Sequence, residues 1–251
     1  MIPVRAASLD KVFDYDDRNL TFYKDITGDG KKEEITVKTN LNQYDMIQST
    51  QVFVKEKKAL TITKNAGYYY SVDVNYLKMS KSKEFLQIIG YGDNEWRAVN
   101  AIYRYDKKNG KLKKVLDLTN GINSASDVVK VTSKNIQVQH SYQPTETGWV
   151  NWKYTYIFKN GKFKLKKSTA SVKSSLNEYD NGDGYFKYFK DSKFKASKSL
   201  TFYTSTSQKK KAFTAKKGSV LKLKKIKVSG KKVYTDQGTG WFYGVACRLA
   251  G

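Results

Sequence analysis

Thirteen residues, DITGDGKKEEITV (25–37), hold the densest chemistry in the chain. Asp25, Asp29, Glu33 and Glu34 crowd around Gly28 and Gly30, in a protein whose formal net charge is +24 at pH 7. Carboxylates this close repel one another. Either they sit on a hairpin tip and face water, or their oxygens converge on a cation that removes the repulsion. With Asp25 as position one, Asp25, Thr27 and Asp29 fall at one, three and five, Gly30 at six, Lys31 at seven and Glu33 at nine. Alternate side chains then turn toward one centre, the glycine permits the reversal, and Lys31 offers its backbone carbonyl. Oxygen donors at that spacing suit calcium, a hard ion that takes six to eight oxygens at about 2.3–2.6 Å. Position twelve is Thr36 rather than the bidentate acid of an EF-hand, and EEITVKT runs on as a strand. A Ca2+ ion here is expected to be structural, because no acid–base partner lies nearby in sequence.

Little else in the chain has the spacing of a reactive site. His140 is the only histidine and falls on the apolar side of its strand, where a hydrogen-bonded, half-buried imidazole is expected. Cys247 is alone, which excludes an intrachain disulfide and a Cys/His zinc site. With one histidine and one late cysteine, no Ser-His-Asp or Cys-His arrangement is legible, and no glycine-rich phosphate loop precedes a helix. Asp73, Asp93, Glu95 and Glu146 could meet as a carboxylate pair, yet nothing in their spacing requires it. The chain is expected not to be an enzyme. Trp96, Trp149 and Trp152 lie in or beside loop-like stretches, where flat rings either stack on sugars or pack hairpin ends. A second acidic turn, DNGDG (180–184), has Tyr188 at its ninth position and is read as a turn.

The elements that must position these residues are strands. YSVDVNY, NIQVQHSY and NWKYTYIF alternate apolar and polar residues, the pattern of a sheet with one buried face. EFLQIIGYG (84–92) is apolar almost throughout, as in a strand covered on both sides. KKNGK (107–111), KNGK (159–162) and VSGKK (228–232) supply hairpin tips. About a dozen strands and no amphipathic helix are expected, so the fold class is all-β. Composition shifts over 171–198, toward Ser, Lys, Asp and Gly, and a domain boundary is placed near 172. Residues 8–172 are expected to form a propeller-like or sandwich-like sheet domain. Residues 173–251 carry a linker strand and a small β-barrel with Leu200, Phe202, Leu221, Leu223, Ile226, Val228 and Trp241 as core.

The charge is almost all lysine, since only five residues are arginine, and the lysines are spread along the chain. Lysine is a flexible point charge rather than the planar fork that reads bases. Specific nucleic-acid binding is therefore not expected. Attraction to an anionic polymer is, alongside a plainer role in keeping strand faces soluble. No run of about eighteen apolar residues is present to span a membrane as a helix. MIPVRAAS carries small residues of the kind a signal peptidase cuts after, with no apolar stretch ahead of them; a chain trimmed at an export signal is expected.

DITGDGKKEEI resembles the calcium loop of FG-GAP/VCBS-type repeats, D-x-[N/T/D]-G-D-G-x-x-D-x-[I/L/V], with Glu33 in place of the ninth-position Asp. The entering strand LTFYK and the leaving strand EITVKT fit that resemblance, which implies an extracellular β-protein with Ca2+ held by Asp25, Thr27, Asp29, Lys31 and Glu33. Residues 199–244 resemble bacterial SH3-like domains in a strand ending at Tyr203, a KKG before the next strand, a hairpin, and Gly240-Trp241. That resemblance implies attachment to a cell-wall peptide, a glycan or a surface protein. Tyr203, Tyr234, Trp241 and Tyr243 are the candidate ligand contacts. Together they predict a monomeric, secreted or surface-displayed, calcium-stabilised binding or adhesion protein of a Gram-positive-like bacterium. A carbohydrate-binding or glycan-active accessory module is the alternative.

Overall fold

Period-two alternation becomes strand wherever the sequence writes it. The computed structural model describes residues 7–13, 19–63, 69–92, 97–119, 124–142, 150–173, 193–195, 199–222, 224–229, 232–236 and 241–243. Among them there is no helix, so none long and apolar enough to cross a membrane. The strands among the described residues number twenty-one rather than about a dozen. The first nine are β1 (Ser8–Phe13), β2 (Asn19–Lys24), β3 (Glu33–Leu41), β4 (Ile47–Val54), β5 (Lys57–Thr63), β6 (Ser71–Ser80), β7 (Lys83–Tyr91), β8 (Arg97–Asp106) and β9 (Lys111–Asp117). Then come β10 (Ser124–Val131), β11 (Ile136–Tyr142), β12 (Val150–Lys159), β13 (Lys162–Leu165) and β14 (Thr169–Lys173). The last are β15 (Lys193–Lys195), β16 (Leu200–Tyr203), β17 (Lys211–Ala215), β18 (Val220–Lys222), β19 (Lys225–Ser229), β20 (Lys232–Asp236) and β21 (Trp241–Tyr243). They form several sheets, none of which closes into a barrel.

The chain divides into two compact units. The first takes in Met1–Asn120, Val128–Gln137 and Tyr156–Lys164, the second Gly121–Asp127, Val138–Thr155 and Leu165–Gly251. The second unit thus includes residues on both sides of position 172.

In the first unit, β2-β3-β4-β5 form an antiparallel meander and β1-β6-β7-β8-β9 a five-stranded sheet. The two share one apolar core. Ile35, Val37, Val52 and Val54 of the meander pack with Val72, Val74, Leu86, Ile88 and Ala101 of the larger sheet. On the other side of the larger sheet, Phe85 meets Phe158 and Phe163 at ring-centroid distances of 4.9 and 5.0 Å. Covered on both faces, β7 is buried at every position from Glu84 to Gly90, as its near-continuous apolar sequence predicts. β6 corrects the reading of one buried face. Its polar positions Ser71, Asp73 and Lys78 are buried along with Val72, Val74 and Tyr76, because the strand lies between β1 and β7 in a doubly covered sheet. Buried polar groups there find partners: Gln87 donates to Asn100 Oδ1 at 2.9 Å, and Tyr91 donates to Asp73 at 2.9 Å. The β12–β13 hairpin turns on Asn160 and Gly161, both at positive φ (54° and 75°), as its Asn-Gly tip predicts.

The second unit carries an open path of strands, β14-β19-β20-β21-β16-β17, with β15 and β18 paired apart from it, and parts of β10, β11 and β12. Leu200, Phe202 and Ile226 are buried as expected, and the rings of Phe202 and Phe213 stack at 4.6 Å. His140 is hydrogen-bonded, with Nδ1 2.7 Å from Ser126 Oγ, and lies parallel to the Trp152 ring at 5.4 Å. Burial lowers its pKa to about 4, so the imidazole is neutral at pH 7.

Candidate functional site

The acidic loop joins β2 to β3, and its acids are engaged with its own backbone. β3 alternates with Glu33, Ile35 and Val37 all on the core side, so Glu33 enters the protein at the mouth of a hydrophobic strand and is 1% exposed. Its carboxylate is satisfied there. Oε2 accepts from the N–H groups of Ile26 and Thr27 at 3.0 and 3.1 Å, and Oε1 accepts from Thr27 Oγ1 at 3.2 Å. Asp25, 4% exposed, accepts from Gly28 N–H at 2.7 Å and from Gly30 N–H at 2.9 Å. Asp29 points outward and accepts from Lys31 N–H at 2.8 Å, a bond that holds its carboxyl below the usual range. Five loop amides that make no ladder bond thus find carboxylate acceptors, each a charge-assisted bond. This clustering answers the charge puzzle in part: acid is placed where the loop's backbone donors point, although the Ile26 N–H is shared with Lys24 O at 3.0 Å.

Two glycines and one lysine fix the loop. Gly28 has φ 71°, and a Cβ there would lie 2.5 Å from the Lys81 carbonyl oxygen and 3.2 Å from Glu84 Oε2. The loop therefore rests on the β6–β7 turn with no room for a side chain. Gly30, at φ 96°, needs the left-handed region but meets only Lys81 Cε at 3.9 Å. Lys55 sits at φ 50° in the β4–β5 turn, donates its N–H to Glu34 O at 2.9 Å, and brings Nζ to 3.4 Å from Glu33 Oε1.

Beneath the loop lies a second polar group. Tyr76 donates its hydroxyl to the Asp25 carbonyl at 3.0 Å. Glu84, 2% exposed, pairs with Lys78 through Oε1, while Oε2 is buried with no hydrogen-bond partner. Burial raises the Glu84 pKa, Lys78 opposes the rise, and the Asp25 charge adds to it. A cleft of about 380 Å3 opens beside Thr27, lined also by Ser82, Glu84, Arg104, Asp106 and Lys113. Arg104 donates to Ser82 O at 3.2 Å and Lys113 pairs with Asp106 at 2.6 Å, so both cations are engaged. Asp106 is lowered to about 2 by Lys113 and Asn109. Glu84 and Asp106, which both line the cleft, are each held in an ion pair, with Lys78 and Lys113 respectively.

The donor types fit calcium, with qualifications the bonding makes specific. Asp25, Thr27, Asp29 and Glu33 present oxygen, and Asp25 has accepted one N–H per oxygen, leaving a lone pair on each. Glu33 is filled by two N–H groups, the Thr27 hydroxyl and Lys55, so an ion would gain it by displacing the ammonium. Among the described residues no three His, Cys, Asp or Glu side chains converge as a metal cluster.

The other sequence candidates separate. Asp73 is engaged by Tyr91 and lies 3.5 Å from Lys11. Asp93, Glu95, Trp96, Glu146, Trp149, the 180–184 turn and Cys247 lie outside the described residues. Trp152 is buried on β12 rather than in a loop. The four aromatic candidates of the carboxyl-terminal segment come together by register: Tyr203 pairs with Trp241, and Tyr234 with Tyr243. In the sequence, Trp241 stands out by its Gly-Trp resemblance and Tyr203, Tyr234 and Tyr243 by aromatic content, without the pairing that aligns them. Sequence reading missed Lys55, Gly28's contact with the β6–β7 turn, and Glu84. Each depends on strands brought in from elsewhere in the chain. Comparison of the chain with protein-family models, curated proteins and solved structures finds no match.

Proposed function

We propose that the protein is a non-catalytic attachment protein, secreted or displayed on the surface of a Gram-positive-like bacterium, that holds to an anionic polymer of the wall. One observation carries the reading. From 192 to 235 the chain has fourteen lysines and no aspartate or glutamate. Lysines are spread along the whole sequence; it is the acids that are withheld from this segment, and an uncompensated field of one sign is what draws a polyanion. The SH3-like resemblance of residues 199–244 points the same way, toward attachment. In this reading the 25–33 loop is a structural calcium site drawing on Asp25, Thr27, Asp29, Glu33 and the Lys31 carbonyl. Calcium would supply the charge that Lys55 now lends Glu33, and a site of roughly 10⁻⁴–10⁻³ M would fill outside the cell.

The test is co-sedimentation with purified bacterial wall fragments before and after chemical removal of their anionic polymer. Retention on intact fragments at low salt, lost after stripping, supports the proposal. Equal retention on stripped fragments would show that charge is not what holds the protein.

A further inference from the structure

The strand register of the second unit sorts its residues onto two faces. Ile226, Phe202, Leu200 and Ala215 are buried on one of them. The opposite face is composed quite differently, and two rows of directly paired positions cross it. The first runs Thr169, Lys227, Tyr234, Tyr243 over β14, β19, β20 and β21. The second runs Ser171, Lys225, Asp236, Trp241, Tyr203, Lys211 over the same strands and on through β16 to β17, where a register shift between Phe202 and Tyr203 sets Lys211 rather than Ala212 opposite Tyr203. Neighbouring strands lie about 4.8 Å apart and alternate positions along a strand about 7 Å, so the longer row extends roughly 24 Å. Where side chains are described, Ser171, Lys225 and Lys211 are exposed, Thr169, Tyr203 and Lys227 are half-buried, and Lys227 directs Nζ to Thr206 Oγ1 at 3.1 Å. Each row thus interleaves lysine, hydroxyl and aromatic positions across an open sheet.

We propose that this face binds an anionic polysaccharide, a pyranose polymer carrying carboxylate or phosphate groups; the inference rests on the attachment reading above and assigns it a surface. Aromatic rings offer flat apolar area to the C–H face of a sugar ring while their edges stay wet. Thr169 and Ser171 offer hydroxyls to the sugar, and Lys225, Lys227 and Lys211 bring positive charge for the acidic substituents. Single-stranded nucleic acid would also use stacking and charge. The segment 192–235 has no arginine, whose guanidinium suits both phosphate and base. The chemistry favours the glycan.

The experiment measures binding of the full chain to four probes at several salt concentrations: hyaluronate, neutral dextran, polyphosphate and oligo(dT). Hyaluronate is expected to bind at least tenfold more tightly than the other three. Replacing Lys211, Lys225 and Lys227 by Gln is expected to flatten the salt dependence by up to about 0.7–0.9 in the log–log slope per charge removed. Trp241→Leu is expected to lose about tenfold affinity with the slope unchanged, and Tyr203→Ser, at the paired position, keeps the test open if Trp241→Leu does not fold. Lys107→Gln with Lys108→Gln and Lys164→Gln, on the first unit, should leave hyaluronate binding as it was. Polyphosphate equal to hyaluronate would reduce the face to unspecific charge, and oligo(dT) binding more tightly would make it a nucleic-acid surface. If hyaluronate binds but both sets of face variants match wild type, this face is not the site while attachment stands. If neither hyaluronate nor wall fragments bind, attachment itself fails.

Discussion

Replacing Gly28 by alanine should damage the first unit more than the same change at Gly30 or Gly161, and the structure gives the reason for the order. All three glycines have positive φ, 71°, 96° and 75°, so each alanine bears a left-handed backbone cost of about 1–2 kcal/mol. At Gly161 a Cβ meets nothing within 4 Å, and at Gly30 it meets a flexible lysine carbon at 3.9 Å. Those two variants should show backbone strain alone. At Gly28 the Cβ would lie 2.5 Å from the Lys81 carbonyl oxygen, a backbone atom in the β6–β7 turn, and 3.2 Å from Glu84. Overpacking of this kind adds about 1–3 kcal/mol, so Gly28→Ala should cost roughly 2–5 kcal/mol, a large part of a typical domain's stability of about 5–15 kcal/mol. With two units the urea transition need not be two-state. Native-state hydrogen exchange of the β2 and β3 amides therefore reads the loss locally. Exchange in those strands should accelerate most in Gly28→Ala. If Gly30→Ala accelerates it as much, the loop does not rest on the β6–β7 turn.

Removing Glu33 should leave the Thr27 amide without its acceptor, while the Ile26 amide keeps Lys24 O at 3.0 Å, so Glu33→Ala is expected to destabilise by about 1–3 kcal/mol, whereas exposed Asp29→Ala should stay within about 0.5 kcal/mol without calcium; hydrogen exchange of the β2 and β3 amides decides between them. Millimolar calcium should raise the melting temperature of the wild type and have less effect on Asp29→Ala, and a melt that ignores both calcium and chelator would remove the metal from the account. His140, whose folded pKa near 4 lies below the ordinary histidine value of about 6.5, contributes stability that is present above pH 6.5 and lost as pH falls toward 4. That loss should amount to roughly 2 kcal/mol between pH 7 and pH 4.5 and be absent from His140→Gln, as read from melts at those two pH values.

The sequence made the local elements plain and left the assembled ones hidden. Glu33-x-Ile35-x-Val37 is legible as alternation, and so is the Asn160-Gly161 tip, because each rests on neighbours in the chain. β6 reads as half-buried for the same reason. On the neighbouring β7, the cover of the second face includes Phe158 and Phe163, far along the sequence, which pack on Phe85. The acidic loop was legible as a collection of oxygens but not as a set of acceptors. Its spacing leaves open whether the carboxylates hold an ion or the loop's own amides, and the N–H directions become visible only once Gly28 and Gly30 are in place. In the carboxyl-terminal segment, Tyr203 and Trp241 lie 38 positions apart in sequence and become paired positions only through the order β20-β21-β16. Register, not composition, turns scattered aromatics and lysines into a surface.

The most direct measurement of attachment is the affinity of the full chain for intact bacterial wall fragments across a salt series from about 0.05 to 0.5 M, where screening shortens from beyond ~10 Å toward a few ångströms. Attachment through the lysine field predicts a straight log–log decline in affinity with salt, steepest for wild type and shallower when Lys211, Lys225 and Lys227 are neutralised. An affinity that holds constant across the series would contradict it.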